Sequence, residues 1–119
     1  WSRIEHHRRQ DSSDLGLTFQ DWGISTPAAL KMANPYLGRA TLVSSGGLRD
    51  GIDMVKSVIL GASICGMAAP LLKPAMESSE AVVAEIEKIK TEFRTAMFLL
   101  GARDVAALFN NPAHILEAR

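Results

Sequence analysis

A strand–helix–strand pattern in the middle of the chain constrains the fold more than any other feature. Residues 40–44 form an apolar, partly β-branched run that ends at Gly46 and Gly47. Such a run predicts a strand buried on both faces. A second apolar run, residues 63–67, predicts another strand. Strand, helix and strand within about thirty residues predict a βαβ unit, whose parallel strands bring their carboxyl ends to one edge.

Two helices are predicted around the first strand. Thr26 and Pro27 are typical of an N-cap followed by a proline at the first helical position, and Asn34 before a proline ends this helix. Between the two strands, apolar side chains recur at helical spacing, and Gly61 stands where a helix takes a left-handed C-terminal glycine. The apolar positions of this second helix are Ile52, Val55, Val58 and Ile59.

A long amphipathic helix is predicted after the second strand. Ser78 or Ser79 caps it, and Gly101 ends it. One face is predicted to cover the core of the chain, and the charged face, which includes Glu92, is predicted to be solvated. A shorter amphipathic segment spans residues 105–109. The apolar stripe of the long helix consists of Val82, Ile86, Ile89, Phe93, Met97 and Leu100.

Two glycine-bearing loops follow the predicted strands. In the first glycine loop, residues 44–51, consecutive glycines let main-chain N–H groups approach an anion, and Arg49 adds a positively charged fork. In the second glycine loop, residues 66–72, Pro70 suits the first turn of a short helix whose N-terminus would face the same anion. Loops after strands seven and eight form the phosphate site of many (β/α)₈ barrels. Together the two loops predict one phosphate site, to which each loop contributes half. Taken alone, the first loop is also typical of a tight turn, and Gly66 of the second is also typical of close packing.

Composition excludes several classes of function. Acidic and basic residues number 13 each, so the formal net charge is zero and no global field attracts nucleic acid or an anionic membrane. No apolar stretch approaches the roughly 20 residues that a membrane span needs, and no leader pattern opens the chain. The single cysteine, Cys65, excludes an internal disulfide and fits a reducing cytosol. We therefore expect a soluble protein without nucleic-acid or membrane partners.

Near the start of the chain, Glu5 is a candidate acid or base. It ends the first segment that contains apolar residues, where a barrel strand would deliver a side chain into a site. A surface carboxylate is the alternative. His6 and His7 adjoin it, but neighbouring side chains on a strand point to opposite sides, and the sequence holds no other ligand cluster. We therefore predict no metal site in this chain and a solvated polar loop for both histidines.

Five blocks of sequence, which together cover nearly all of the chain, resemble the type 2 isopentenyl diphosphate isomerases. These blocks are residues 1–5, 21–26, 44–51, 66–68 and 93–101. The resemblance implies an α/β fold in which residues 1–119 form the C-terminal third of a single FMN-binding (β/α)₈ barrel, or TIM barrel. Because the chain begins with Trp1 rather than Met, we interpret it as a piece of a longer chain whose earlier strands lie upstream.

The resemblance also implies an activity. These enzymes interconvert isopentenyl diphosphate and dimethylallyl diphosphate in isoprenoid biosynthesis, using reduced FMN, NADPH as reductant and Mg²⁺ on the substrate diphosphate. A cytoplasmic enzyme that forms homotetramers or homo-octamers at full length is implied. The reduced flavin is expected to act in acid–base chemistry, while the protein positions it.

The matching residues follow from the same resemblance. One stretch matches positions that contact FMN, and a second matches positions near the flavin phosphate. The first consists of Gly47, Leu48 and Arg49, and the second of Ala68 and Ala69. Glu5 matches a glutamate close to the reacting end of the substrate, proposed to take part in proton transfer. The family's remaining FMN-binding, substrate-binding and Mg²⁺-binding residues belong before Trp1, so we expect this chain by itself to be inactive.

Three alternatives stay open at this point. An α-hydroxy-acid oxidase shares the phosphate cradle, but should show a catalytic His and Arg pair shortly before the first glycine loop, and residues 21–44 contain none. An inosine-monophosphate dehydrogenase relative should show a nucleophilic cysteine in a flexible loop, whereas Cys65 lies in a strand pattern. A non-catalytic assembly module would use the apolar stripe of the long helix to dock on a partner.

Overall fold

The computed structural model describes residues 15–19 and 21–115, and Glu5, His6 and His7 lie outside the described residues. The helices are α1 (Leu15–Thr18), α2 (Thr26–Ala33), α3 (Gly51–Ile59), α4 (Ala69–Glu77), α5 (Ser79–Leu99) and α6 (Val105–Leu108). The strands are β1 (Val43–Ser45) and β2 (Ile64–Gly66), and short 3₁₀ turns span Asn34–Tyr36 and Pro112–His114. The predicted α/β class is confirmed, while a closed barrel needs more strands than these described residues contain.

The βαβ unit is confirmed. β1 and β2 pair in parallel, with Ser44 opposite Cys65 and Ser45 opposite Gly66, and α3 connects the two strands. Gly61 has a φ of 98°, the left-handed conformation predicted for a residue just beyond the end of α3. The carboxyl ends of both strands therefore lie side by side.

The prediction that the first strand is buried on both faces is wrong for the described part of the chain. Ser44 is only 1% exposed, and its hydroxyl donates to Ser57 Oγ of α3 at 2.9 Å. Val43 is 58% exposed and its partner Ile64 is 55% exposed. Successive side chains of a strand point to opposite faces. α3 covers one face of the pair, and no described element buries Val43 and Ile64 on the other.

The core lies between α3, α5 and α6. The buried side chains Val55, Val58, Ile59 and Leu108 form one cluster, and Phe93, Met97 and Cys65 pack against it. The apolar stripe of α5 therefore covers the chain's own core. It does so through Phe93 and Met97 and through Ile89, which is 7% exposed. Burial of this apolar area is the main favourable term that holds α5 on α3.

Helix termini agree with the sequence at most positions. Ser78 caps α5 by accepting a hydrogen bond from Ala81 N at 3.0 Å, and Gly101 follows the helix with a φ of 69°. The predicted cap at Thr26 is wrong, because Ser25 is the N-cap of α2 and makes no side-chain hydrogen bond there. Thr26 instead reaches across to the first glycine loop. Among the described residues, no helix combines the length and apolar character that crossing a membrane requires.

Candidate functional site

The two glycine loops meet at the carboxyl edge of the sheet. β1 ends at Ser45 and leads directly into Gly46, while β2 ends at Gly66, the residue paired with Ser45. A side chain on Gly66 would crowd this neighbour, since an added Cβ would lie 3.2 Å from Ser45 Oγ. The structure therefore brings together the two loops that the sequence proposed as halves of one anion site.

The first glycine loop presents its main chain outward. Gly46 and Gly47 have φ values of 95° and 81°, which L side chains rarely adopt. Thr26 Oγ1 donates to Gly46 O at 2.8 Å and so fixes this peptide from α2. The parallel pairing of Ser45 with Gly66 directs the Gly46 N–H at Gly66 O, whereas within the described ranges the Gly47 N–H donates to no other group. A Cβ on Gly47 would meet no atom within 4 Å, so open space adjoins the loop.

The N-terminus of α3 is already occupied by the protein's own carboxylates. Arg49 N donates to Asp53 Oδ2 at 3.2 Å, and Asp53 N donates to Asp50 Oδ1 at 2.8 Å. Gly51 N donates to Glu92 Oε2 at 2.9 Å. Negative charge is favourable at a helix N-terminus, so these carboxylates stabilise α3. They also occupy three N–H groups at this helix end and surround it with negative charge, which disfavours an external anion.

The N-terminus of α4 is different. Its N-cap residue is Ala68, which provides no side-chain hydrogen bond, and Pro70 lies in the first turn. The first N–H groups of a helix have no partner within the helix. An exposed helix end without its own cap suits an anion, because the N–H groups and the helix dipole both favour negative charge. Pro70 has no N–H and Leu71 N donates to Ala68 O at 3.0 Å, so the donors left at this edge among the described residues are the N–H groups of Gly47, Ala68 and Ala69.

The structure places the five predicted cofactor-binding residues along this edge. Four of them, Gly47, Arg49, Ala68 and Ala69, are exposed. Leu48 is different, because its side chain is 6% exposed and packs inward. Only the main chain of Leu48 is then available to a ligand, and its side chain anchors the loop. The candidate acid or base, Glu5, lies outside the described residues.

Two residues that organise this edge were missed by the sequence analysis. Thr26 was interpreted as a helix cap, and Glu92 was placed on the solvated face of the long helix. The second interpretation is wrong, since Glu92 is partly buried and accepts from Gly51 N. No local pattern indicates either contact, because the partners lie 20 and 41 residues apart in the sequence.

The charges around Glu92 form a small cluster on α5. Lys88 donates to Glu85 Oε1 at 2.9 Å, and this hydrogen bond, with the charge of that carboxylate, raises the pKa of Lys88. Glu92 and Asp50 raise it further. Lys88 thus stays protonated and partly offsets the carboxylates that converge on α3. In the described part of the chain, no group of three or more His, Cys, Asp or Glu side chains is arranged to hold a metal ion.

A separate apolar groove of about 430 Å³ lies between β2, α3, α4 and α5. Cys65 and Met67 line it together with Leu71, Ile86 and Phe93. Cys65 is half-buried and is a free thiol. Its thiol makes a long contact with Met54 O at 3.8 Å. The groove includes neither Gly46 nor Gly47, so it does not involve the glycines of the first glycine loop.

Cys65 is expected to react slowly with alkylating reagents. Burial raises the pKa of the Cys65 thiol, and a hydrogen bond with Ser57 offsets part of this increase. Because the thiolate is the nucleophile, a raised pKa lowers the reactive fraction at pH 8, and the rate should increase as the pH rises. Timed labelling of the full-length protein with iodoacetamide, read by peptide mass spectrometry, checks this against the urea-unfolded protein. Equal rates in the two states would contradict it.

Comparison with known proteins defines the class. The family model described as FMN-dependent dehydrogenase matches residues 19–116, a range that includes both glycine loops and helices α2 to α6. The chain belongs to this family. The family supports FMN as the cofactor.

Particular relatives agree with the resemblance drawn from the sequence blocks. The isopentenyl-diphosphate delta-isomerase of Hydrogenovibrio crunogenus is 58% identical over 118 residues, which cover 98% of this chain and 34% of the relative. The protein of the same name from Paracoccus zeaxanthinifaciens is 57% identical over 122 residues, covering 98% and 35%. One from Thermococcus kodakarensis is 41% identical over 115 residues, covering 94% and 30%. The resemblance is confirmed, and the chain spans about a third of the length of the curated relatives it matches.

Proposed function

We propose that this chain is the phosphate-binding, C-terminal third of an FMN-dependent isopentenyl-diphosphate delta-isomerase of type 2, which interconverts isopentenyl diphosphate and dimethylallyl diphosphate. Residues 1–119 would then be the last part of one (β/α)₈ barrel domain. The observation that carries the proposal is the meeting of two glycine loops with free N–H donors at one sheet edge. It occurs in a chain whose relatives at 57% and 58% identity bear that name.

The flavin phosphate is held mainly by main-chain donors. The N–H group of Gly47 provides one side of the cradle, and the uncapped start of α4 at Ala68 and Ala69 provides the other. Arg49 lies exposed at the same edge, where its guanidinium adds a charge-assisted hydrogen bond to the phosphate. Reduced FMN, when bound, supplies the acid–base chemistry of the isomerisation.

The carboxylates at α3 direct the phosphate to one side of the cradle. Asp50, Asp53 and Glu92 accept the N–H groups of Arg49, Gly51 and Asp53 at the start of α3, so an anion there would meet like charge. The start of α4 carries no such carboxylate in its first turn. This asymmetry favours a phosphate position between the first glycine loop and α4, where donors remain.

Further parts of the proposal concern the full-length protein. Glu5 takes part in proton transfer at the reacting end of the substrate. NADPH reduces the flavin, and Mg²⁺ binds the substrate diphosphate through ligands outside this chain. The enzyme is cytoplasmic and forms homotetramers or homo-octamers. These elements follow from the resemblance.

The test is to purify the full-length protein and measure its visible absorption and its isomerase activity with FMN, NADPH and Mg²⁺. We expect a yellow protein that converts isopentenyl diphosphate to dimethylallyl diphosphate. A yellow protein without this activity would favour another flavin barrel, such as an α-hydroxy-acid oxidase. A colourless protein that takes up no added FMN would overturn the phosphate cradle itself.

A further inference from the structure

Glu92 connects the long helix α5 to the start of α3. Its Oε2 atom accepts the N–H of Gly51, the first residue of α3, at 2.9 Å, in a partly buried position. The two helices touch at this point, since a Cβ on Gly51 would lie 2.4 Å from both Ile89 O and Phe93 N of α5. The close approach of the α3 backbone to the α5 backbone holds the first residue of α3 in place. The hydrogen bond from Gly51 N to Glu92 then fixes the orientation of the first peptide of α3.

The first glycine loop is therefore held at both ends by side chains from other elements. At its start, Thr26 Oγ1 of α2 donates to Gly46 O at 2.8 Å. At its end, Glu92 of α5 accepts from Gly51. Between these two contacts lie Gly47 and Arg49, two of the residues assigned to FMN. A loop whose glycines permit many backbone conformations loses most entropy when it is ordered, so contacts that order it beforehand favour ligand binding.

We propose that Glu92 is a positioning residue for the FMN-binding loop. Through Gly51 it holds the backbone at Arg49, so that the guanidinium stays at the carboxyl edge. This inference rests on the proposed function, because it names the flavin phosphate as the ligand that benefits. Glu92 contacts the loop only at its end, through Gly51 N. Its effect on FMN is carried by the hydrogen bond to Gly51 rather than by its charge.

Two substitutions of Glu92 in the full-length protein separate the effect of side-chain length from the effect of the negative charge. Glu92→Asp keeps the charge but shortens the side chain by one methylene, so the carboxylate no longer reaches Gly51 N. Glu92→Gln removes the charge but keeps an oxygen at the same reach, which still accepts the hydrogen bond. Glu87→Asp is the matched control, because Glu87 lies on the exposed face of the same helix, paired with Lys90 at 2.7 Å. Glu87→Asp changes the helix propensity of α5 by the same amount as Glu92→Asp.

The measurements are the FMN dissociation constant, from flavin fluorescence, and the phosphorus NMR resonance of the bound cofactor. We expect Glu92→Asp to weaken FMN binding about tenfold and to shift the resonance. Glu92→Gln and Glu87→Asp should stay near the wild type in both. This pattern supports a positioning role, since a loss of helix stability alone would affect Glu87→Asp as well.

Other outcomes overturn the inference. If Glu92→Asp lowers the melting temperature of the flavin-free protein but binds FMN like the wild type, the contact is structural only. If Glu92→Gln loses as much affinity as Glu92→Asp, charge rather than the hydrogen bond decides, and the positioning role is wrong. A wild type that binds no FMN would overturn the proposed function and this inference together, which distinguishes it from the first two results.

Discussion

Replacing Gly51 by alanine is expected to lower the free energy of unfolding by about 3 kcal/mol, an effect typical of overpacking a tight contact. Gly51 lies in a helix, where alanine is ordinarily favoured over glycine by about 1 kcal/mol. Here the sign is reversed, because the added methyl would lie 2.4 Å from Ile89 O and Phe93 N, and both are backbone atoms that cannot rotate away. Urea unfolding of the full-length protein, followed by circular dichroism, measures the change.

Gly23→Ala is the matched control for this substitution. A Cβ on Gly23 would meet no atom within 4 Å, and its φ lies outside the left-handed range. Its stability should therefore stay within about 0.5 kcal/mol of the wild type, as for most surface substitutions. If Gly51→Ala were as stable as Gly23→Ala, the close packing of α3 on α5 would be wrong.

Replacing Arg49 by alanine is expected to weaken FMN binding about thirtyfold, the equivalent of about 2 kcal/mol for a hydrogen bond to a charged group. The side chain is exposed, so its loss removes little packing and should leave the denaturant midpoint of the flavin-free protein nearly unchanged. The Arg49 N–H that donates to Asp53 at 3.2 Å belongs to the main chain and survives the substitution. Flavin content after purification and the FMN dissociation constant measure the effect.

Arg103→Ala is the control for the loss of a positive charge. The Arg103 side chain is 90% exposed and pairs with Asp104, after the end of α5 and away from both glycine loops. Equal losses of FMN affinity in the two variants would indicate a general electrostatic effect of the protein surface. Unchanged flavin content in Arg49→Ala would remove Arg49 from the cradle.

Much of the fold was predictable because its signals are local. Helical spacing, glycines at helix ends and apolar runs act over a few residues, and they predicted α3, α5, Gly61 and both strands. The pairing of the strands followed from the handedness and length of a βαβ unit. The adjacency of the two glycine loops followed in turn, since parallel strands place their carboxyl ends together. This is why the candidate site was predictable at the level of its loops.

The remaining features depend on which elements pack together. The contact between Glu92 and Gly51 requires α5 to cross the start of α3, and no spacing rule within either helix contains that information. Thr26 has the sequence context of a cap, and only the position of Gly46 beside it shows that its hydroxyl is used elsewhere. The exposure of Val43 and Ile64 could not be predicted from composition either, because an apolar side chain is buried only where another element covers it.

The missing side-chain cap of α4 gives a bound phosphate a structural consequence under the proposed function. α3, α5 and α6 complete their first turns with Asp50, Ser78 and Asp104, whereas the N-cap residue of α4, Ala68, makes no side-chain hydrogen bond. A phosphate bound there would do for α4 what an aspartate does for α3. Ligand that binds only the folded state stabilises it in proportion to the logarithm of its concentration. The stability of α4, and with it that of the folded domain, would then increase with the concentration of flavin in the cell.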